Sequence, residues 1–521
     1  MVRRMHTSLL TETSLSTSAL RLIPAALVAA GALAAALPAR AANFNVASDA
    51  QLRSAIASAA NGDTITFTAN ITLSSNLPQV QRHLVIDGGN FTLSGNNQYR
   101  GLIVQSGSVI ISNLTIANAR PQGGNGGTGG QLGGGGGGGA GLGGALYVAR
   151  DAQVTLNNVS LQNDTAQGGN GAGTSVAGGN FVGGGGGGMF GDGTAAKSGT
   201  AGQGGAGGGG NGGSFAGAGT AGGFGGGGGG GERSGGAGGF GGGGGGSGAG
   251  GGGKSPPASG GFGGGNGGTS VGGGGAGLGG AIFVQEGGIL TLGGNLTISN
   301  NKVAGGAGSN AETAGRGIGS GIFLHGNGSL TFAPGAGQSQ TVADTIADQT
   351  GVTGSGGSWS LVKNGAGTTI LTGKNAYSGG VTVNSGVLQG NTSSLRGNIV
   401  LGWPSQSPAP GAVVFDIASV ETYGGNITGS GSFTKAGTGT LVLDGTNTYT
   451  GGTTVRAGTL YGTTRSLQGN ILNDGALVFR QDFDGTYGGN ITSGGPLTTF
   501  TKRGKGKLNL TGTVGAGLTT L

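Results

Sequence analysis

From Asn43 to about Arg120 the chain runs through short segments in which apolar and polar residues alternate. They are Thr64-Ile-Thr-Phe67, Ile71-Thr-Leu73, Leu84-Val-Ile86, Phe91-Thr-Leu93, Leu102-Ile-Val104, Val109-Ile-Ile111 and Leu114-Thr-Ile116. A period of two carried by Val, Ile, Thr and Phe predicts strands. Ile65, Leu84, Ile86 and Ile103 are the expected inward residues, and Asp87-Gly-Gly-Asn90 and Ser94-Gly-Asn-Asn97 are expected turns. One stretch has helical spacing instead: Asp49–Ala60 places Leu52, Ile56 and Ala59 on one face, with Ser48 or Asp49 as cap and Gly62 as stop. Such a helix would cover the open first rung of a stacked repeat.

The pattern then changes. Of the 160 residues from Pro121 to Gly280, 80 are glycine. A tract of this kind offers little apolar surface and loses much backbone entropy on ordering, which predicts a weakly ordered insertion cut early by proteases. Inside it lies one strand-like island, about 142–166, beginning Gly144-Ala-Leu-Tyr-Val148. Its echoes, Gly280-Ala-Ile-Phe-Val284 and Gly321-Ile-Phe-Leu324, follow the tract. The glycine runs are therefore read as loops leaving a solenoid that continues. Phe190, Phe215, Phe224, Phe240 and Phe262 stand alone among glycines, either as adhesive points or as isolated exposed residues without function.

A longer repeat appears after Ser358. Residues 363–388 match residues 435–460 at 14 of 26 positions without a gap, and a third copy opens at Lys502. The shared positions include Lys363, Gly373, Asn375, Tyr377, Gly379 and Gly380 in the first copy and Lys435, Gly445, Asn447, Tyr449, Gly451 and Gly452 in the second. This pattern resembles the autotransporter-associated β-strand repeat of Gram-negative passenger domains, over roughly Ser358–Thr513. More loosely, Asn43–Arg120 resembles the start of the pectin-lyase-like parallel β-helices of autotransported surface proteins. The resemblance implies a non-enzymatic surface passenger, adhesive or structural, whose C-terminal repeats assist secretion and folding. It also implies an outer-membrane barrel as the link to the secretion machinery, and a host or cell-surface ligand as partner. The chain stops at Leu521 inside a repeating unit, so a longer protein carrying that barrel is expected.

Charge and composition bear this out as far as they reach. Arg3, Arg4 and Arg21 precede the apolar stretch Leu22–Leu37, and Ala39-Arg40-Ala41 has the small-x-small form of a signal-peptidase site, so residues 1–41 read as a signal peptide cleaved after Ala41. The remainder keeps 21 basic and 17 acidic residues, a net charge of +4. Its one basic cluster, Lys502, Arg503, Lys505 and Lys507, suits a solvated strand edge better than a nucleic-acid face. Cysteine is absent, so stability must come from burial and backbone pairing.

No constellation of catalytic, cofactor-binding or metal-ligating residues stands out. Asp63, Asp87, Asp151, Asp164, Glu286 and Glu312 are scattered singly, whereas polysaccharide cleavage on a solenoid, the alternative function, needs gathered carboxylates. His83 and His325 lack metal-ligand spacing and read as surface turn residues. The Asn-x-Ser/Thr triplets at Asn70, Asn90, Asn113, Asn295, Asn426 and Asn490 suit glycan attachment or the backbone bonding of β-helix turns. The predicted fold is all-β: a right-handed parallel β-helix with long disordered glycine-rich insertions. Its expected parts are 42–122, the glycine-rich 123–280, further rungs over 281–357, the repeats of 358–513, and a short end at 514–521.

Overall fold

The alternating segments become short strands stacked in parallel register. The computed structural model describes residues 41–521 except 176–180, 198, 249–257, 403–409, 496–497, 516–518 and 521. The expected signal peptide lies outside the described residues, apart from Ala41. All strand pairs of the main body are parallel, and most join a 24-stranded sheet in which each strand pairs with its counterpart one rung away. This is a β-solenoid, as the period-two pattern requires. Side chains stack in columns along it: Leu102 pairs with Leu146, Leu146 with Ile282, and Ile282 with Ile322. All four are buried in one continuous core.

The helix is Asp49–Ser58, with Ser48 as N-cap and Leu52, Ala55 and Ile56 buried. Together with the strand Asn43–Val46 it covers the first rung and joins the same core. Ile65, Leu84 and Ile86 point inward as expected. Ile103 does not. It lies between the inward Leu102 and Val104, so its side chain leaves the solenoid and enters a second apolar cluster.

That cluster exists because the described part of the glycine-rich stretch is folded, contrary to the expectation of disorder. In the run 133–139 the amide partners repeat every third residue. Gly134 and Gly137 donate to Gly231 and Gly228, Gly135 and Gly138 to Ser270 and Gly273, and Gly136 and Gly139 to Gly127 and Gly124, at 2.8–3.2 Å. Three residues per turn without internal hydrogen bonds is polyproline II geometry. A Cβ on these same glycines would meet three further segments: at 1.8 and 2.1 Å the carbonyls of Gly246 and Gly243, at 1.9 Å those of Ala172 and Gly169, at 2.0 and 2.3 Å those of Gly185 and Gly188. Six neighbouring segments thus surround one, and only a residue without Cβ permits the approach. The ordering entropy is offset by backbone hydrogen bonds on three sides and close backbone packing on the other three, not by side-chain burial.

Aromatic side chains tie this glycine bundle to the solenoid. Tyr147, Phe283 and Phe323 stack outward on successive rungs, with ring centroids 5.3 and 5.6 Å apart. Phe224, Phe240 and Phe262 stack on the bundle side at 5.1 and 5.4 Å. The two stacks meet at 6.1 Å for Phe224–Phe283 and 5.5 Å for Phe262–Phe323. Three of the five phenylalanines considered as adhesive points are therefore packing residues. Phe215 and Phe190 keep 70% and 42% of their surface exposed.

Candidate functional site

The repeat-defining residues converge on the joints between rungs. Lys363 occupies an inward column, paired with Phe332 on one side and Val383 on the other. Lys435 has the same setting between Phe415 and Val455. Both side chains are buried. Their stems pack in the core while each ammonium group reaches three backbone carbonyls: Asn364 (2.9 Å), Gly365 (2.8 Å) and Ser385 (3.1 Å) for Lys363, and Ala436 (2.8 Å), Gly437 (2.7 Å) and Ala457 (3.0 Å) for Lys435. Burial pushes Lys363 down to about 8 and lowers Lys435 as well. The carbonyls supply the acceptors that water would otherwise provide, one for each N–H of the ammonium. Lys502 repeats the position beside Phe479 and donates to Gly504 at 2.6 Å. Of the basic cluster, Arg503, Lys505 and Lys507 are exposed as expected, while Lys502 is half-buried and joins this device.

The asparagines act as three-way links. Asn375 accepts from Ile346 N–H on the preceding rung (2.8 Å) and donates its amide to Ser394 O on the next (2.9 Å). Asn447 accepts from Ile427 N–H (2.7 Å) and donates to Ser466 O (2.7 Å). Beside them Tyr377 donates to Ser394 O and accepts from Arg396 N–H. The hydroxyl of Tyr449 lies 2.7 Å from Thr453 Oγ1 and accepts from Gln468 N–H. Gly380 and Gly452 have φ of +76° and +85°, which only glycine adopts without strain. A Cβ on Gly373 or Gly445 would lie 2.3 or 2.2 Å from the carbonyl of Asp344 or Gly425, and one on Gly379 or Gly451 would meet the backbone of Trp359 or Gly431. Ser394 and Ser466, each 19 residues beyond its asparagine, complete the joint. The sequence reading missed them, although both stand in a Ser-Leu pair at the same offset.

The candidate acids are spread through structural contacts. Asp63 accepts from Ala42 and Ala60 N–H, Asp87 from Gly89 N–H and Asn113, and Asp164 from Ala119 N–H. Of the histidines, His83 is exposed and accepts from Ser108 N–H. His325 departs from the surface-turn reading: its ring lies 4.4 Å from that of Phe240 in the aromatic seam, and burial lowers its pKa. Four of the six Asn-x-Ser/Thr asparagines bond backbone on the next rung: Asn70 accepts from Thr92 N–H, Asn295 from Ser339, Asn426 from Thr446 and Asn490 from Thr513, while Asn113 bonds the side chains of Asp87 and Asn158.

A family described as passenger-associated-transport-repeat matches at residues 86–111, 361–389 and 433–461. The chain carries the repeats of an autotransporter passenger. The second and third matches contain the two lysine–asparagine joints. The first was not recognised from the sequence, although Gly95, Asn97 and Tyr99 keep the Gly-x-Asn-x-Tyr spacing. Part of this passenger is similar to the adhesin BmaC autotransporter of Brucella suis biovar 1 (strain 1330), with 36% identity over 163 residues. That match covers 27% of the passenger and 5% of the adhesin. No solved structure matches the passenger. None of its described helices is long and apolar enough to cross a membrane.

Proposed function

We propose that this passenger is exported to the surface of a Gram-negative bacterium and serves there as a non-enzymatic adhesive rod. On this reading residues 1–41 direct export, and an outer-membrane translocator joined beyond the repeats carries the chain across. The observation that carries the proposal is the pair of joints at Lys363/Asn375 and Lys435/Asn447, which add side-chain bonds between one rung and the next to the backbone ladder. Such joints give a rung that has just emerged specific bonds to the rung it stacks on, besides the backbone ladder. Nearest-neighbour stacking of this kind favours sequential folding during secretion. The adhesive role is supported by the similarity of part of the chain to an adhesin. Fusing the chain to an autotransporter translocator in a non-adherent strain tests it. Surface display with increased attachment to host-cell monolayers is expected, together with no cleavage of pectin or alginate. Display without attachment would defeat the adhesive role, and polymer cleavage the non-enzymatic one.

A further inference from the structure

A buried cation without a counter-charge lies at the seam between solenoid and glycine bundle. Arg100 keeps only 4% of its surface exposed, and its Nη1 is fully buried with no hydrogen-bond partner among the described residues. Among the described residues no carboxylate pairs with it. Its neighbours are two rings, with the guanidinium carbon 5.4 Å from the centre of Phe190 and 6.0 Å from that of Tyr147. Burial lowers its pKa to about 10, which still leaves it charged at neutral pH. An unpaired charge removed from water is costly, and proteins ordinarily supply such a group with an acceptor.

Arg100 lines a cavity of about 320 Å³ together with Gln79, Gln98, Gln122 and Phe190. These three glutamines are exposed, so their donors and acceptors stand free for a ligand. The volume suits one sugar ring. A flat aromatic wall suits the C–H face of such a ring, rim amides suit its hydroxyls, and a planar guanidinium suits a carboxylate. A lone small carboxylate would use the cation and leave the amide rim and the aromatic wall idle.

We infer that this cavity binds a carboxylate-bearing sugar, a uronic acid residue, through Arg100, Phe190 and the glutamine rim. The inference gives the adhesive reading a ligand class and rests on that reading only for its biological setting, because binding is measured on purified protein without cells. Titration with methyl glucuronide, followed by ligand-observed NMR, should give millimolar or tighter binding, with methyl glucoside at least roughly tenfold weaker. Arg100→Met should abolish binding, and Phe190→Ala should weaken it at least roughly tenfold while thermal unfolding stays cooperative. Should Arg100→Met fail to fold, the exposed-site variants Phe190→Ala and Gln122→Ala carry the test. Equal binding of the neutral glucoside, tighter binding of glucose 6-sulfate, or unchanged binding in the foldable variants would each overturn the assignment.

Discussion

The ammonium of Lys435 donates to the carbonyl of Ala457 at 3.0 Å across 22 residues, and Lys363 makes the same bond to Ser385 across the same separation. The contact is a staple from inside the core to a turn on the next rung. Lys435→Met would keep the stem and its packing against Phe415 and Val455 while leaving the carbonyls of Gly437 and Ala457 without a donor, Ala436 O still accepting from Ile417 N–H. At about 1–3 kcal/mol for each of the two unsatisfied groups, the loss is expected to be at least ~2 kcal/mol. Urea unfolding of Lys435→Met and Lys363→Met should show this, and the double variant should lose the sum, since the two lysines share no acceptor. A loss under about 0.5 kcal/mol in both single variants would remove the staple as a stabilising device.

The solenoid was legible because its alternation of apolar and polar residues has the period of the structure it forms. The repeat positions were legible too, but not what they do: Lys363 sits where the pattern demands an apolar residue, and only its neighbours Phe332 and Val383 reveal the column. The glycine bundle was hidden because apolar patterning registers side-chain burial, and the runs have no side chains to bury. A trace of it survives in Gly123-Gly-Asn-Gly-Gly-Thr-Gly-Gly130, where Asn125 and Thr128 fall three residues apart, one per turn of the observed helix. Arg100 gave no signal at all, since nothing local marks a cation that loses its water only when a segment some 90 residues later folds over it.

Two glycine substitutions separate close packing from mere composition. A Cβ on Gly137 would lie 2.1 Å from the carbonyl oxygen of Gly243, while one on Gly173 would meet nothing within 4 Å. Gly137→Ala is expected to cost about 1–3 kcal/mol through forced separation of segments. Gly173→Ala should be neutral or slightly stabilising by restricting the unfolded chain. Hydrogen exchange over 183–248 should rise in the first variant only. Equal exchange in both would contradict the packed bundle.

Phe240 holds the bundle to the solenoid, touching Phe224, Phe262 and His325 at ring distances of 5.1, 5.4 and 4.4 Å. Phe240→Ala should cost about 3 kcal/mol, and the loss should be local. Amides of the bundle should lose protection while those of strands such as Val381–Val383 and Thr453–Val455 keep theirs. Uniform loss along the chain would mean that bundle and solenoid unfold as one unit.

A buried carboxyl gives the pH dependence its sign. Asp164 is fully buried, and only one of its oxygens has a partner: Oδ1 accepts from Ala119 N–H, while Oδ2 has none among the described residues. Burial raises its pKa well above the usual carboxylate range, the Ala119 bond opposing and the nearby Asp344 adding to the rise. The unfolded chain releases this proton near pH ~3.9, whereas the folded chain holds it to higher pH. The folded state thus binds the extra proton in that window, and its stability falls as pH rises through it. Asn301, one rung on, shows how an amide is accommodated: it accepts from Asp164 N–H through Oδ1 and donates through Nδ2 to Leu161 O. Because Leu161 pairs with Ile116, Asp164→Asn should keep the Ala119 bond and direct its new amide donor to the carbonyl of Ile116. The variant is therefore expected to be more stable than the parent by about 1 kcal/mol at pH values where the folded carboxyl is ionised, and to match it in acid, where the parent carboxyl is neutral. Thermal unfolding of both proteins between pH 4 and 8 checks this, and parallel profiles with no convergence at low pH would show that Asp164 carries no unpaired charge.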